Sequence, residues 1–144
     1  KIKTVIKDSS VIAVPVKLEE EAIDFSEEER KEVLKGYGEK ELGIVRLIKE
    51  AYTALGLITF YTIKGGKEIH AWSLKDGDSA LDAAAIVHTD FAKNFIKAEA
   101  INVDELIGIG DWHKAKESGK VRLEGREYAV QNGDVIEFKV GSQP

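Results

Sequence analysis

The stretch that most restricts what this chain can fold into runs from Ala83 to Glu99, AAAIVHTDFAKNFIKAE. Ala80, Leu81, Ala84 and Ala85 recur at helical spacing, so a helix of small residues opens it. After His88-Thr89-Asp90-Phe91 the pattern changes to the apolar–polar alternation Phe95, Ile96, Lys97, Ala98, Glu99. Two strand-like runs precede the helix and a strand-rich tail follows it. One helix between two sets of strands is the plan of an α+β domain of the β-grasp type, in which a mixed sheet wraps a single helix.

The runs on either side supply the strands. Leu57 to Ile63 is a strand by composition, Lys64-Gly65-Gly66-Lys67 is turn chemistry, and Glu68 to Leu74 completes a hairpin. Asp76-Gly77-Asp78-Ser79 turns into the helix, with Asp78 or Ser79 as its cap. Beyond Glu99, residues 102–106 form a capped helical turn, and Asp111 to Ser118 a short helix stopped by Gly119. Val121 to Glu124 and Glu127 to Gln131 are strands, and Val135 to Val140 is the last one. The expected core is Ile58, Phe60, either Ile69 or Trp72, Leu81, Ala84, Phe95, Val121, Val130, Ile136 and Phe138.

Ahead of this domain the pattern is helical. Ser26-Glu27-Glu28-Glu29 fits a capping box, and that placement accounts for much of an acidic run of seven carboxylates between Glu19 and Glu29 without a ligand. Leu42, Val45, Ile48, Tyr52 and Leu55 form one stripe of a second helix, expected to pack on the sheet that follows. Ile2, Val5 and Ile6 alternate with lysines, and Val11-Ile12-Ala13-Val14 reads as a buried strand closed by Pro15. A lone apolar strand needs neighbours on both sides, which points to a domain outside this sequence. The absence of Met and the start at Lys1 also suggest a piece of a longer protein.

Composition sets outer limits on chemistry. With no cysteine there is no disulfide, no thiolate-held zinc and no thiol catalysis. No run is long enough to cross a membrane as a helix. A net charge of −5 argues against coating a polyanion by bulk charge, so any field for one must come from local segregation. His70, His88 and His113 stand in no metal-ligand spacing. His88-Thr89-Asp90 tempts a catalytic reading, but no nucleophile elbow accompanies it, and at a helix-to-strand junction such residues cap backbone groups. Gly65-Gly66 lacks the spacing of a phosphate loop and no helix follows.

Several blocks taken together resemble a known family. GLITFYT (Gly56 to Thr62), Ala71-Trp72, AAAIVHTDF (Ala83 to Phe91), FIKAE (Phe95 to Glu99) and KVRLEGREYAVQNGDVIEFKV (Lys120 to Val140) resemble the C-terminal TGS domain of the YchF / Obg-like ATPases. The resemblance covers Leu42 to Val140. It implies a P-loop nucleotide hydrolase domain upstream, using ATP or GTP with Mg²⁺, while this stretch holds no Walker A or Walker B motif and needs no cofactor of its own. It also implies three parts: residues 1–20 as the end of that nucleotide-binding domain, 21–56 as a helical connector, and 57–141 as the TGS β-grasp domain. Val16, Lys17 and Leu18 fall where the family carries a loop beside the nucleotide base, although Pro15 and Val16 replace its usual Ser-Ala pair. Ala85 replaces a usual Gly and His70 a usual Arg.

The function expected from this resemblance is a regulatory binding module of a cytoplasmic, translation-linked ATPase, with the ribosome or RNA and its own upstream nucleotide-binding domain as partners. The alternative is a protein-interaction scaffold without an RNA role. An RNA-facing patch is expected on Lys64, Lys67, His70, Lys93 and Lys97, around the His88-Thr89-Asp90 block. Its steep salt dependence would follow from counterion release, and loss of Lys93 and Lys97 would weaken it.

Overall fold

The computed structural model describes residues 11–141; the alternation of Ile2, Val5 and Ile6, and with it half of the 1–20 segment, lies outside them. The chain divides into two compact units, 1–55 and 56–144.

In the first unit, α1 (Val16–Glu21) runs through a 3₁₀ turn (Ala22–Asp24) towards α2 (Glu27–Gly36) and α3 (Gly43–Leu55). The Ser26–Glu29 capping box forms in both directions, the Ser26 hydroxyl accepting from the Glu29 backbone and the Glu29 carboxylate from the Ser26 backbone. Glu19 ties the unit together: its carboxylate accepts the Gly43 backbone N–H at 2.6 Å and so caps α3. A Cβ at Gly43 would sit 3.1 Å from this carboxylate and 3.0 Å from the Val14 side chain, which is why the closest crossing carries glycine. Val11 to Val14 is not a strand. Ladder hydrogen bonds need a neighbouring strand, and among the described residues none pairs with it. The α3 stripe is not buried either, since Val45, Ile48 and Leu55 are all exposed. The core of this unit is small, built on Leu18, Ala22 and Leu34.

The second unit is a five-stranded mixed sheet in the order β2-β1-β5-β3-β4. Its strands are β1 (Leu57–Lys64), β2 (Glu68–Lys75), β3 (Phe95–Asn102), β4 (Arg122–Glu124) and β5 (Asp134–Val140). The β1–β2 hairpin pairs over its whole length, and its three-residue turn, Gly65-Gly66-Lys67, places both glycines at positive φ, 58° and 73°, where a side chain would be strained. β5 enters between β1 and β3, parallel to β1 at Tyr61↔Val135 and Thr62↔Ile136 and antiparallel to β3.

Period-two alternation assigns the two faces. Ile58, Phe60, Leu74, Ala98, Ala100 and Ile136 face α4 (Ala80–Val87), which seats Ala80, Ala83 and Ala84 on them with no side-chain bulk to hold it away. Ile63, Ile101 and Val135 face the other way, onto Trp112 and Ala115 of α7 (Trp112–Glu117), with Leu106 of α6 (Val103–Ile109) alongside. Of the expected core, Ile58, Phe60, Ala84, Phe95, Val130 and Ile136 are buried. Trp72, Leu81 and Phe138 pack against them half-buried, Val121 joins the second cluster, and Ile69 is exposed.

Two local expectations change. Residues 89–93, read as a junction, form a helix of their own, α5 (Thr89–Lys93). Glu127 to Gln131 is no strand beyond one bridge, Ser79↔Ala129. Its backbone is committed elsewhere: Tyr128 O accepts from Ala80 N at 2.8 Å, and Gln131 N donates to the Asp134 carboxylate at 2.9 Å. Asp134, 1% exposed, also accepts from the Tyr128 hydroxyl at 2.7 Å and from the Arg122 guanidinium at 3.2 Å. This buried carboxylate fixes the 125–133 loop against β4 and β5, because every one of its partners lies on those segments.

Two consequences are measurable. Ser79 caps α4 in a capping box with Asp82, and hydrogen bonds from the Ser79 hydroxyl and backbone hold the Asp82 carboxyl below its ordinary value. A carboxyl whose folded pKa is depressed stabilises the fold above about pH 3.9 and loses that contribution as pH falls through the lowered value. Ser79→Ala should cost about 1 kcal/mol in urea unfolding. It should also raise the Asp82 titration midpoint by NMR; an unmoved midpoint would contradict the box. Burial, and then the bond to Asp134, push the Tyr128 phenol up to about 12. Asp134→Asn should bring its ultraviolet titration back towards about 10. The same change should lower stability by about 3 kcal/mol, through loss of charge-assisted bonds in a buried position.

Candidate nucleic-acid interface

α4 has eight residues, hence a length of roughly 12 Å. The strands β1 and β2 beneath it also have eight each, but extend to roughly 26 Å. The helix therefore covers only part of its face. Beyond its last residue, Val87, the even-numbered positions Thr62, Lys64, Glu68, His70, Trp72, Phe138 and Val140 line an open groove of about 470 Å³, with Phe91 of α5 as a wall.

The groove is aromatic and its rings are held. Trp72 packs half-buried on the first core cluster and its indole N–H donates to the Thr62 hydroxyl at 3.0 Å, diagonally across the ladder in which its own register partner is Phe60. Phe91 meets Phe138 edge-on, centroids 6.3 Å apart and planes at 61°. Phe138 in turn leans on Phe95 at 6.1 Å. His88 starts α5: its Nδ1 accepts the Asp90 backbone N–H at 3.2 Å, and its ring lies 6.0 Å from that of Phe91. The Nδ1 acceptor role assigns the ring proton to Nε2 and makes His88 a capping residue. Asp90 also lies 3.7 Å from Lys93.

The expected cationic patch is divided by the sheet. Lys64 and His70 lie on the groove face, and Lys67 stands exposed at the hairpin turn beside them. Lys97 is on the opposite face. The register slips between Phe95 and Lys97, so a bulge at Ile96 lets Phe95 point into the first core while Lys97 joins Glu99 on the far side. There Glu99, 5% exposed, gathers Lys116 at 2.7 Å, Lys139 at 3.7 Å and Lys97 at 3.8 Å. Burial pushes the Glu99 carboxyl up, but the Lys116 hydrogen bond and the three lysine charges together hold it below its ordinary value. Lys139 also pairs with Glu137 at 2.8 Å, and Glu137 accepts the Trp112 indole N–H at 3.2 Å. Trp112, 2% exposed, is a core residue.

Lys93, Lys97, Lys116 and Lys139 are thus each paired with a carboxylate, whereas Lys64 and Lys67 have no ion pair among the described residues. Phe91 and Phe138 were not among the expected site residues. The signal for them was present: a helix of eight residues cannot cover strands of eight, and the uncovered even positions include both aromatics and cations.

Val16, Lys17 and Leu18 form the first turn of α1 rather than a loop. Leu18 is buried, Val16 is exposed, and Lys17 lies 3.9 Å from Glu21. Among the described residues no cluster of His, Asp or Glu has the geometry to hold a metal ion, and no helix is long and apolar enough to cross a membrane.

The chain is 44% identical over 133 residues to the ribosome-binding ATPase YchF of Bacillus subtilis, matching 92% of this chain and 36% of that protein. It is 40% identical over 141 residues to the ribosome-binding ATPase YchF of Haemophilus influenzae, matching 96% of this chain and 39% of that protein. The chain therefore spans well under half the length of these relatives. The structure of the Schizosaccharomyces pombe YchF GTPase superposes with a TM-score of 0.79 at 30% identity, over 96% of this chain and 36% of that one. Residues 57–141, the sheet, its helices and the groove, match the family model described as YchF-GTPase_C, protein of unknown function (DUF933), and the chain belongs to that family.

Proposed function

We propose that this chain is the ribosome-facing binding module of a translation-linked nucleotide hydrolase, acting in the cytoplasm. Residues 57–141 are a TGS domain of β-grasp type, 21–56 a helical connector, and 1–20 the end of the nucleotide-binding domain. The observation that carries the reading is the open aromatic groove with two lysines at its rim that have no ion pair among the described residues, while Lys93, Lys97, Lys116 and Lys139 are paired internally. Two relatives of about 40% identity or more are named ribosome-binding ATPases, which supports the partner. RNA is contacted by Lys64, Lys67 and His70, with His88, Thr89 and Asp90 holding α5 and its Phe91 in place. Lys93 contributes from the far end of α5, and Lys97 serves the Glu99 cluster instead.

ATP or GTP and its Mg²⁺ are bound by the upstream domain of the whole protein. The described residues fit neither: no acidic cluster suits the cation, and Leu18 turns its side chain inward, which leaves Val16 and Lys17 as the only base-side contacts this segment can offer. No step of hydrolysis is assigned to these residues, and a phosphate-release assay on the chain should read background.

Co-sedimentation with ribosomes tests the partner. Binding should weaken as salt rises, because each neutralised phosphate releases counterions. Lys64→Ala/Lys67→Ala should lower the bound fraction several-fold, and Lys97→Ala should leave it unchanged. Equal binding by all three proteins at every salt concentration would favour the scaffold reading, with a protein partner.

A further inference from the structure

We propose that the groove beyond α4 receives one unpaired base of single-stranded RNA, stacked on Trp72, with the neighbouring phosphates on Lys64 and Lys67. The proposal rests on the RNA-facing reading above and names the ligand of that same site.

Three features of the groove point to this occupant. Trp72 is immobilised on one side by the core and along its edge by the bond to Thr62, so its ring is a fixed platform and loses little freedom when a base covers it. Phe91, set edge-on to Phe138, walls the platform without covering it. Lys64 ends β1 and Lys67 is the last residue of the three-residue turn after it, and neither has a carboxylate partner among the described residues. Glu68 stands opposite Lys64 in the hairpin register without pairing to it, which keeps the local field weak. A weak field with a fixed aromatic floor suits a ligand that brings its own flat apolar face and only a few negative charges. A duplex buries its base faces in its own stack and presents none to such a floor; a single strand presents them.

The chain's intrinsic fluorescence reports the contact, because only two tryptophans are present and Trp112 is buried at 2% exposure. The probes are a short oligoadenylate and its duplex with oligouridylate. The single strand should quench the emission and the duplex should not. Read by the anisotropy of a labelled oligoadenylate, since the variants lack the reporting ring, Trp72→Phe should keep binding within a few-fold, while Trp72→Leu, which retains an apolar body without a ring, should lose about tenfold. Circular dichroism of both variants verifies the fold. With two phosphates neutralised, log affinity should fall with log salt at a slope of about −1.4, and Lys64→Ala/Lys67→Ala should flatten it. Equal affinity for strand and duplex, or full affinity in Trp72→Leu, overturns the stacked base but leaves RNA contact standing if the lysine variant still weakens it. Binding of neither RNA by a chain that still sediments with ribosomes overturns both readings and assigns the site to a ribosomal protein.

Discussion

The contact between three alanines and one sheet face governs this domain. Ala80, Ala83 and Ala84 are fully buried against Phe60, Leu74 and Ile136, close enough that the helix needs no larger residue to fill the gap. Interiors pack at crystal density, so adding methylenes at these positions would force the helix off the sheet at a cost of about 1–3 kcal/mol. The helix is also capped and ended within eight residues, by Ser79 at one end and by the extended backbone of His88 at the other. A tightly seated but short helix leaves the far half of the face uncovered. The groove is therefore a consequence of helix length and small side chains, and its aromatic floor is core material that α4 does not cover.

The Ile96 bulge divides the charges as the alanine helix divides the apolar surface. One extra residue in β3 turns Phe95 inward and Lys97 outward, although both are odd-numbered. Phe95 then supports Phe138 under the groove. Lys97 becomes one of three cations around the buried Glu99, a carboxylate that is stable there only because it is multiply paired. The two faces thus differ in kind. One carries the open aromatic groove, rimmed by lysines without ion pairs among the described residues; the other sets the neutralised Glu99 cluster beside the apolar cluster of Ile63, Ile101, Trp112 and Val135.

Much of this was legible in the sequence because it depends on local rules. The capping box at Ser26, a cap at Asp78 or Ser79 (Ser79 in the structure), the glycine hairpin turn, the α4 span and the last strand all follow from side-chain chemistry within four residues or from simple periodicity. What the sequence hid was non-local. Val11 to Val14 has the composition of a strand, but pairing is a property of neighbours that the described residues do not include. Glu127 to Gln131 alternates like a strand, yet the buried Asp134 holds it through the Gln131 backbone N–H and the Tyr128 hydroxyl. Lys93 and Lys97 read as neighbours of Lys64 on a basic patch, and only the bulge shows that one of them belongs to the other face. Phe138 was read as core, and so it is by contact; its second role needs the length of α4, which periodicity does not convey.

The charge balance decides how such a surface can hold a polyanion at all. A net charge of −5 repels phosphate at long range, and that repulsion is screened within about 8 Å at physiological salt. Close to the hairpin the sum is a small positive one: Lys64 and Lys67 have no ion pair among the described residues and face the single carboxylate of Glu68, while Glu99 and Glu137 consume the cations of the opposite face. Electrostatics of this kind contributes short-range register and little steering. In the proposed complex most of the free energy of binding then comes from burying flat apolar surface on Trp72, and selectivity for unpaired over paired strands follows from the same term, since only an unpaired base has a face to give.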